Sequence, residues 1–301
     1  MSSYKTSVST NKVAAAAAKT LDGRLLCASS LAYGIREPYL SGAGFLSPPL
    51  QITKGVNSCL IGRTRDGIVI AFRAGGFHRD ALYNNNNKGL AREVRKALQE
   101  VLSTCDTKSK YKSTRRCKLY LTGHSKGGCL ASLFALELLQ SPDLPNPEYV
   151  CTFGAPRVGD AEFGSYYQEH VLQTAYENHL DMIPFFPPSS RDSPKMTSLM
   201  EDLQKDECQT SKSCSTTGHT TKTWEYAPIG TRKFISRQGE IVHHVSRQLD
   251  NQRIREIEGK TILRLGEFRQ AHCSSCPDTS GGCSGGYFKA IAPEICASAY
   301  V

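Results

Sequence analysis

The sequence predicts an α/β fold, a central and mostly parallel sheet flanked by helices. Three observations carry this. Apolar, β-prone runs alternate with stretches of helical periodicity in the order strand, helix, strand, turn, helix, and crossovers of that kind pair their strands in parallel. A Gly123-His124-Ser125-Lys126-Gly127 turn joins one of these strands directly to an apolar helix. At 301 residues the chain can bury the core of one such domain and still carry insertions.

Taken in order, residues 1–24 contain Lys5, Lys12 and Lys19, many Ser and Thr, and no acid before Asp22. They read as a disordered leader, so a single domain is expected over 25–301. The leader has a mild transit-peptide character but lacks arginine, and 13–18 is too short and weakly apolar for a secretory signal. With no apolar run able to span a bilayer, a cytoplasmic location is favoured. Residues 25–33 form an apolar, helix-like stretch broken by Gly34 and Pro38, and 38–55, with Pro48-Pro49 and three glycines, read as loop. The runs 56–61 and 68–73 are β-rich and are joined by Thr64-Arg65-Asp66-Gly67, a hairpin turn sequence. The second run leads into Ala74-Gly75-Gly76, where glycines after a strand allow a ligand close to the backbone; a plain turn is the alternative. Residues 84–87 form a polar loop tip. Over 89–103, Leu90, Val94, Leu98, Val101 and Leu102 recur at helical spacing between charged residues, which marks an amphipathic helix on one face of the sheet.

The strand beginning at Cys117 ends in the Gly-x-Ser-x-Gly turn, and 129–139 continues as a helix of little but Leu, Ala and Phe. In such a turn the serine takes a cramped backbone conformation at the strand tip, while Gly123 and Gly127 let strand and helix pass closely. The hydroxyl is pushed out of the sheet. The helix start aims N–H groups and its positive dipole end at the same place, which suits an oxyanion. Ser125 is therefore the candidate nucleophile and the N–H of Lys126 a candidate oxyanion donor. A spectator serine in a tight turn is the competing account. Beyond it, 149–153 is a short buried strand and 171–176 another, followed by Asn178-His179-Leu180-Asp181-Met182-Ile183-Pro184. An acid just past a strand end is well placed to orient a histidine, and Asp181 could otherwise be a turn or cap residue.

The segments 68–75, 121–128, Thr152-Phe153-Gly154-Ala155-Pro156-Arg157-Val158-Gly159-Asp160 and Asp181-Met182-Ile183-Pro184 occur in an order and spacing that resembles the class 3 lipases, an α/β-hydrolase family. Tyr226-Ala227-Pro228-Ile229-Gly230 resembles that family's late hairpin. The resemblance implies a Ser-Asp-His triad, a second oxyanion N–H from Gly75, no cofactor, and a lipid or ester substrate. Contact with a membrane or lipid-droplet surface is a further implication. Three departures stand out. Arg73-Ala74-Gly75 replaces the family's Arg-Gly-Thr or Arg-Gly-Ser, Lys126 stands where an apolar residue is usual, and 76–88 has no apolar face to serve as a lid.

The base is the open question, since eight histidines compete. His124 reads as a packing or hydrogen-bonding residue of the elbow. His78, His170 and His179 precede or adjoin the acid, and the hydrolase order Ser, Asp, His disfavours them. That leaves His219, His243, His244 and His272; in the family the base lies shortly before a terminal helix that starts with Tyr, which favours His272 ahead of Tyr287-Phe288, with His243 or His244 as the alternative.

The polar insertion 189–222 and a Cys-rich loop at 272–296 complete the chain, with 240–257 as a surface helix and 286–291 as a short terminal helix. Cys27, Cys59, Cys117, Cys129 and Cys151 fall in apolar runs and read as small core residues. Cys208, Cys214, Cys273, Cys276, Cys283 and Cys296 are compatible with free thiols, disulfides or a zinc site, and no metal is assigned. The charge, 37 basic against 28 acidic residues, is scattered and accompanied by no nucleic-acid-binding signature, so nucleic acid is not expected as a partner.

A serine hydrolase of carboxylic esters, acting on acylglycerol-type lipids, is the function expected. A phospholipase or thioesterase would use the same triad, and a catalytically silent interaction or signalling module is the rival of another class. The polar 76–88 segment yields a kinetic prediction: short soluble esters are cleaved without a rate jump at the micellar threshold. A steep jump in a concentration series would assign the lid to another segment, 189–222 first.

Overall fold

A computed structural model of the chain describes residues 17–34, 37–74, 86–106, 117–189, 225–259, 271–272 and 286–298. Its centre is an eight-stranded sheet in the order β1-β2-β3-β4-β5-β7-β9-β10. These strands are β1 (Leu50–Lys54), β2 (Asn57–Arg63), β3 (Ile68–Ala74), β4 (Leu119–His124), β5 (Tyr149–Phe153), β7 (Gln173–Asn178), β9 (Thr231–Ile235) and β10 (Ile241–Val242). From β3 through β4, β5 and β7 to β9 every pairing is parallel; β1, β2 and β10 add antiparallel edges. Two further short strands, β6 (Gly159–Asp160) and β8 (Tyr226–Ala227), pair with each other outside the main sheet.

Side chains that alternate along β3 divide the core. Ile68, Ile70 and Phe72 face a cluster with Leu90, Val94 and Leu98 of α3 (Asn86–Asp106) and with Leu130 and Phe134 of α4 (Lys126–Leu139). Val69 and Ala71 point the other way, onto Leu25, Leu26 and Leu31 of α1 (Leu21–Leu31) and onto Tyr287 and Phe288 of α7 (Tyr287–Ile291). Period two in the strand and an apolar helix over each face are what the sequence pattern demands. The remaining helices are α2 (Glu37–Ala43), α5 (Ala161–His170), α6 (Arg247–Glu258) and α8 (Pro293–Ser298). Among the described residues, no helix is long and apolar enough to cross a membrane.

Several expectations need correction. The leader does not run to residue 24. Ala18 is buried, α1 begins at Leu21 with Thr20 as its N-cap, and Asp22 accepts hydrogen bonds from Tyr149 (2.9 Å) and Tyr176 (2.6 Å) on two sheet strands. Arg24 donates to both oxygens of Asp66 in the β2–β3 turn. Residues 38–55, expected as loop, hold α2 and the edge strand β1, because their glycines and prolines lie at element ends. Helix α5 had no counterpart in the sequence reading; Asp160 caps it by accepting from the Phe163 N–H. Residues 240–257 begin with β10, and the helix starts only at Arg247 after the N-cap Ser246. The short helix expected at 286–291 is present as α7, but α8 follows it at Pro293–Ser298, where the Cys-rich loop was set to run on to 296. The insertion 189–222 falls, apart from Ser189, outside the described residues, as do residues 1–16.

At the β7 end of the sheet, α6 is held by charge. Glu177 accepts from Arg232 of β9 at 2.6 and 2.9 Å and from Arg253 of α6, while Asp250 accepts from the same Arg232 at 2.7 Å. The Arg253 guanidinium lies between the rings of Phe185 and Phe234, 4.6 and 4.7 Å from their centroids. Burial alone would raise the Glu177 carboxyl, but the two guanidiniums outweigh it and hold the group down at about 2. A carboxyl depressed in this way stabilises the fold fully above its unfolded value near 4.5, and the contribution is lost as pH falls through about 2. A displacement of that size is worth about 3 kcal/mol. Glu177→Gln is accordingly expected to lower unfolding stability at pH 7 by about 3 to 5 kcal/mol. Its denaturation curves should also depend less on pH between 4.5 and 2 than those of the parent.

Candidate active site

The elbow forms as the glycine pattern requires. A Cβ on Gly123 would lie 2.3 Å from the Gly127 backbone, and one on Gly127 would lie 2.2 Å from the Phe72 carbonyl oxygen, so helix α4 can cross β4 and β3 only at glycine. Ser125, between β4 and α4, has φ 55° and ψ −136°, and among the described residues it is the non-glycine with positive φ. Such a conformation costs on the order of 1 to 3 kcal/mol and persists only where its surroundings enforce it. The enforcement is visible: the Ser125 N–H donates to the Phe153 carbonyl at 2.9 Å, and its own carbonyl accepts from the Gly128 N–H at 2.9 Å.

Asp181 follows β7 and has no exposure to water. Its Oδ1 accepts from the Ile183 N–H at 3.0 Å, its Oδ2 accepts from the Tyr287 hydroxyl at 2.8 Å, and both oxygens lie at 2.9 to 3.0 Å from Nδ1 of His272. Among the described histidines that competed for the role of base, His272 is the one that meets Asp181. His243 and His244 are exposed in the segment between β10 and α6; His170 bonds to the Tyr166 carbonyl, and His179 faces Glu256 at 3.6 Å. His78 and His219 lie outside the described residues. With Nδ1 turned to a carboxylate, the imidazole carries its proton there and presents Nε2 as the lone pair.

Serine and histidine are joined through the elbow. The ring of His124 lies 4.6 Å from that of His272, and Nε2 of His124 is 2.9 Å from the His272 carbonyl oxygen. Burial, reinforced by the neighbouring His272, pushes His124 down to about 3, so this ring is neutral at ordinary pH and donates from Nε2 to that carbonyl. Asn178 closes the other side. Its side-chain amide donates to the Ala271 carbonyl at 2.9 Å, and its backbone N–H donates to the Tyr287 hydroxyl at 3.2 Å.

Of the two expected oxyanion donors, Lys126 is the first residue of α4, where the amides of the opening turn have no acceptor within the helix itself. Its side chain is buried, at 4% exposure. Gly75 lies outside the described residues, directly after the end of β3. Cys27, Cys59, Cys117, Cys129 and Cys151 are free, all buried except the half-buried Cys117, and burial raises the thiols of Cys27, Cys59, Cys129 and Cys151. Among the described residues no group of His, Cys, Asp and Glu could hold a metal; Cys273, Cys276 and Cys283 are not among them.

Sequence reasoning did not assign the hydrogen bonds of Tyr287 and Asn178, nor the need for glycine at 154. The signals were present in the Gly154-Ala155-Pro156 run after a central strand and in the Tyr that opens α7.

A mostly parallel sheet with a strained serine at a strand-to-helix elbow, an acid after a later strand, and a histidine further on defines the α/β-hydrolase fold. Residues 60–191 match the family model for lipase (class 3). It is similar to a Caenorhabditis elegans lipase, ZK262.3, at 36% identity over 80 residues, which is 26% of this chain and 23% of that protein. It is also similar to a Rhizomucor miehei lipase at 31% identity over 111 residues, 35% of this chain and 29% of that one. The matched segments thus span less than a third of either relative. Among solved structures, the Rhizomucor miehei triacylglyceride lipase aligns at 18% identity and TM-score 0.45, covering 72% of this chain and 80% of that one. Lipase II from Rhizopus niveus aligns at 17% identity and TM-score 0.44, covering 71% and 79%.

Gly154 gives a sharp test of the geometry. It has φ +56°, and a Cβ there would stand 2.5 Å from Asp181 Oδ2, 2.8 Å from the Tyr287 hydroxyl and 3.2 Å from His272 Nδ1. Gly154→Ala is expected to cost about 1 to 2 kcal/mol of stability from the left-handed backbone and to part Asp181 from His272. Thermal unfolding and NMR of the His272 imidazole measure the two effects separately.

Proposed function

We propose that this chain is a serine hydrolase that cleaves carboxylic esters, with acylglycerol-type lipids as its substrate class. The observation that carries the reading is the buried Asp181 carboxylate held against Nδ1 of His272 at 2.9 Å, beside an elbow serine with a strained backbone.

On this reading each residue has a defined part in the reaction. Ser125 Oγ attacks the ester carbonyl carbon while its proton passes to Nε2 of His272. Asp181 fixes the tautomer and steadies the imidazolium that results. The carbonyl oxygen becomes an oxyanion at the N-terminal end of α4, where the Lys126 N–H and the helix dipole stabilise it, together with the Gly75 N–H. Collapse breaks the C–O bond to the alcohol, which leaves with the proton from His272. A water molecule, deprotonated by the same nitrogen, then attacks the acyl-enzyme and releases the carboxylic acid and Ser125. The cycle balances with no cofactor.

Two measurements test this. A fluorophosphonate probe should label the wild-type protein, and Ser125→Ala should abolish both labelling and ester hydrolysis, by about 10³-fold or more, with unchanged thermal stability. His272→Ala should lose nearly as much, and the double variant little more, because the members of a triad act as a unit. Undiminished hydrolysis by Ser125→Ala would end the assignment.

A further inference from the structure

We propose that His124 is a positioning residue for the base, an imidazole that grips the peptide of His272 and, with Asn178, sets where its ring can stand. The inference rests on the hydrolase reading above and concerns a residue that the triad does not include.

Two consecutive carbonyls carry it. The Ala271 carbonyl accepts from the Asn178 side chain at 2.9 Å, and the His272 carbonyl accepts from Nε2 of His124 at 2.9 Å. One donor stands at the end of β7 and the other at the tip of β4, next to the nucleophile in the chain. The backbone of the base is therefore referenced to the same strand tip that presents Ser125 and to the strand that leads to Asp181. The His124 ring is itself boxed in. Tyr33 and Tyr287 meet it edge-on at 5.8 and 6.1 Å, the His272 ring covers it at 4.6 Å, and the Tyr33 hydroxyl donates to its carbonyl at 3.0 Å. A donor fixed on several sides transmits its position to its acceptor. Ordinary packing would call only for a ring of this size; it would not call for a polar nitrogen aimed at that carbonyl.

The chemical demand is also specific. His272 becomes positively charged in each half-reaction, and a second imidazolium 4.6 Å away would oppose it. Burial keeps His124 uncharged at working pH, so it can touch the base without competing for the proton.

The experiment separates positioning from packing. His124→Phe keeps a ring and removes the donor, whereas His124→Gln keeps a donor of similar reach and removes the ring. The phenylalanine variant is expected to lower kcat at least about 10-fold, with KM within about twofold and fluorophosphonate labelling slowed in parallel. The glutamine variant should recover to within about threefold of wild type. Asn178→Ala, which loosens the neighbouring carbonyl, should lower kcat on its own and combine less than multiplicatively with His124→Phe. If His124→Phe retains kcat within about twofold, or if His124→Gln is no better than His124→Phe, the positioning role is overturned. Should the phenylalanine variant fail to fold, the glutamine variant and Asn178→Ala decide: a glutamine variant as impaired as Ser125→Ala, or an indifferent Asn178→Ala, overturns it equally. Wild-type turnover and Ser125-dependent labelling are measured first, because their absence would remove the hydrolase reading, while their presence beside an indifferent His124→Phe would remove this inference alone.

Discussion

A carboxylate sealed from water has to be fully hydrogen-bonded or it will not stay charged, and Asp181 is sealed completely. Its donors are the Ile183 N–H two residues further along the chain, the hydroxyl that opens α7, and the ring of His272. Satisfying that one group draws the 271–272 segment and the terminal helix onto the C-terminal ends of the parallel strands. Asn178 and His124 then use the carbonyls that arrive there. The strained serine on the adjacent strand tip meets this assembly across the Gly154 turn, where a single methyl group has no room. Geometry that tight among buried groups is what makes electrostatic preorganisation effective.

The remainder of the fold supports those strand ends from outside. Helix α1 is tied at its start to β5 and β7 through Asp22 and to the hairpin turn through Arg24. It carries Tyr33, just beyond its last turn, to the side of His124. Across the sheet, α6 is anchored to Glu177, the residue immediately before Asn178. A charge network that looks remote from the chemistry therefore sits one residue from a support of the base. Its energetic role is to hold β7, β9 and α6 in register.

The sheet, the elbow and the acid were legible because each is a local pattern: period two in the strands, Gly-x-Ser-x-Gly between strand and helix, and an acid after a strand end. His272 was legible only through a family resemblance and chain order, since nothing near it in sequence distinguishes it from His243 or His244. What separates them is a contact with Asp181 across 91 positions of chain. The edge strand β1 and helix α2 were missed because prolines and glycines at element boundaries look, in one dimension, like a loop. Helix α5 was missed because its cap, Asp160, ends a motif that already had a family reading, and few of its own residues are buried. Long-range polar contacts such as Tyr287 to Asp181 leave no periodic trace at all.

The distribution of the site along the chain has a consequence for timing. The serine and the acid lie within the segment that matches the family, whereas His272 and Tyr287 lie far beyond it. During synthesis the elbow emerges from the ribosome long before its partners do. On the hydrolase reading, a nascent chain thus carries a nucleophile without a base until the segment with His272 has been made and docks against Asp181.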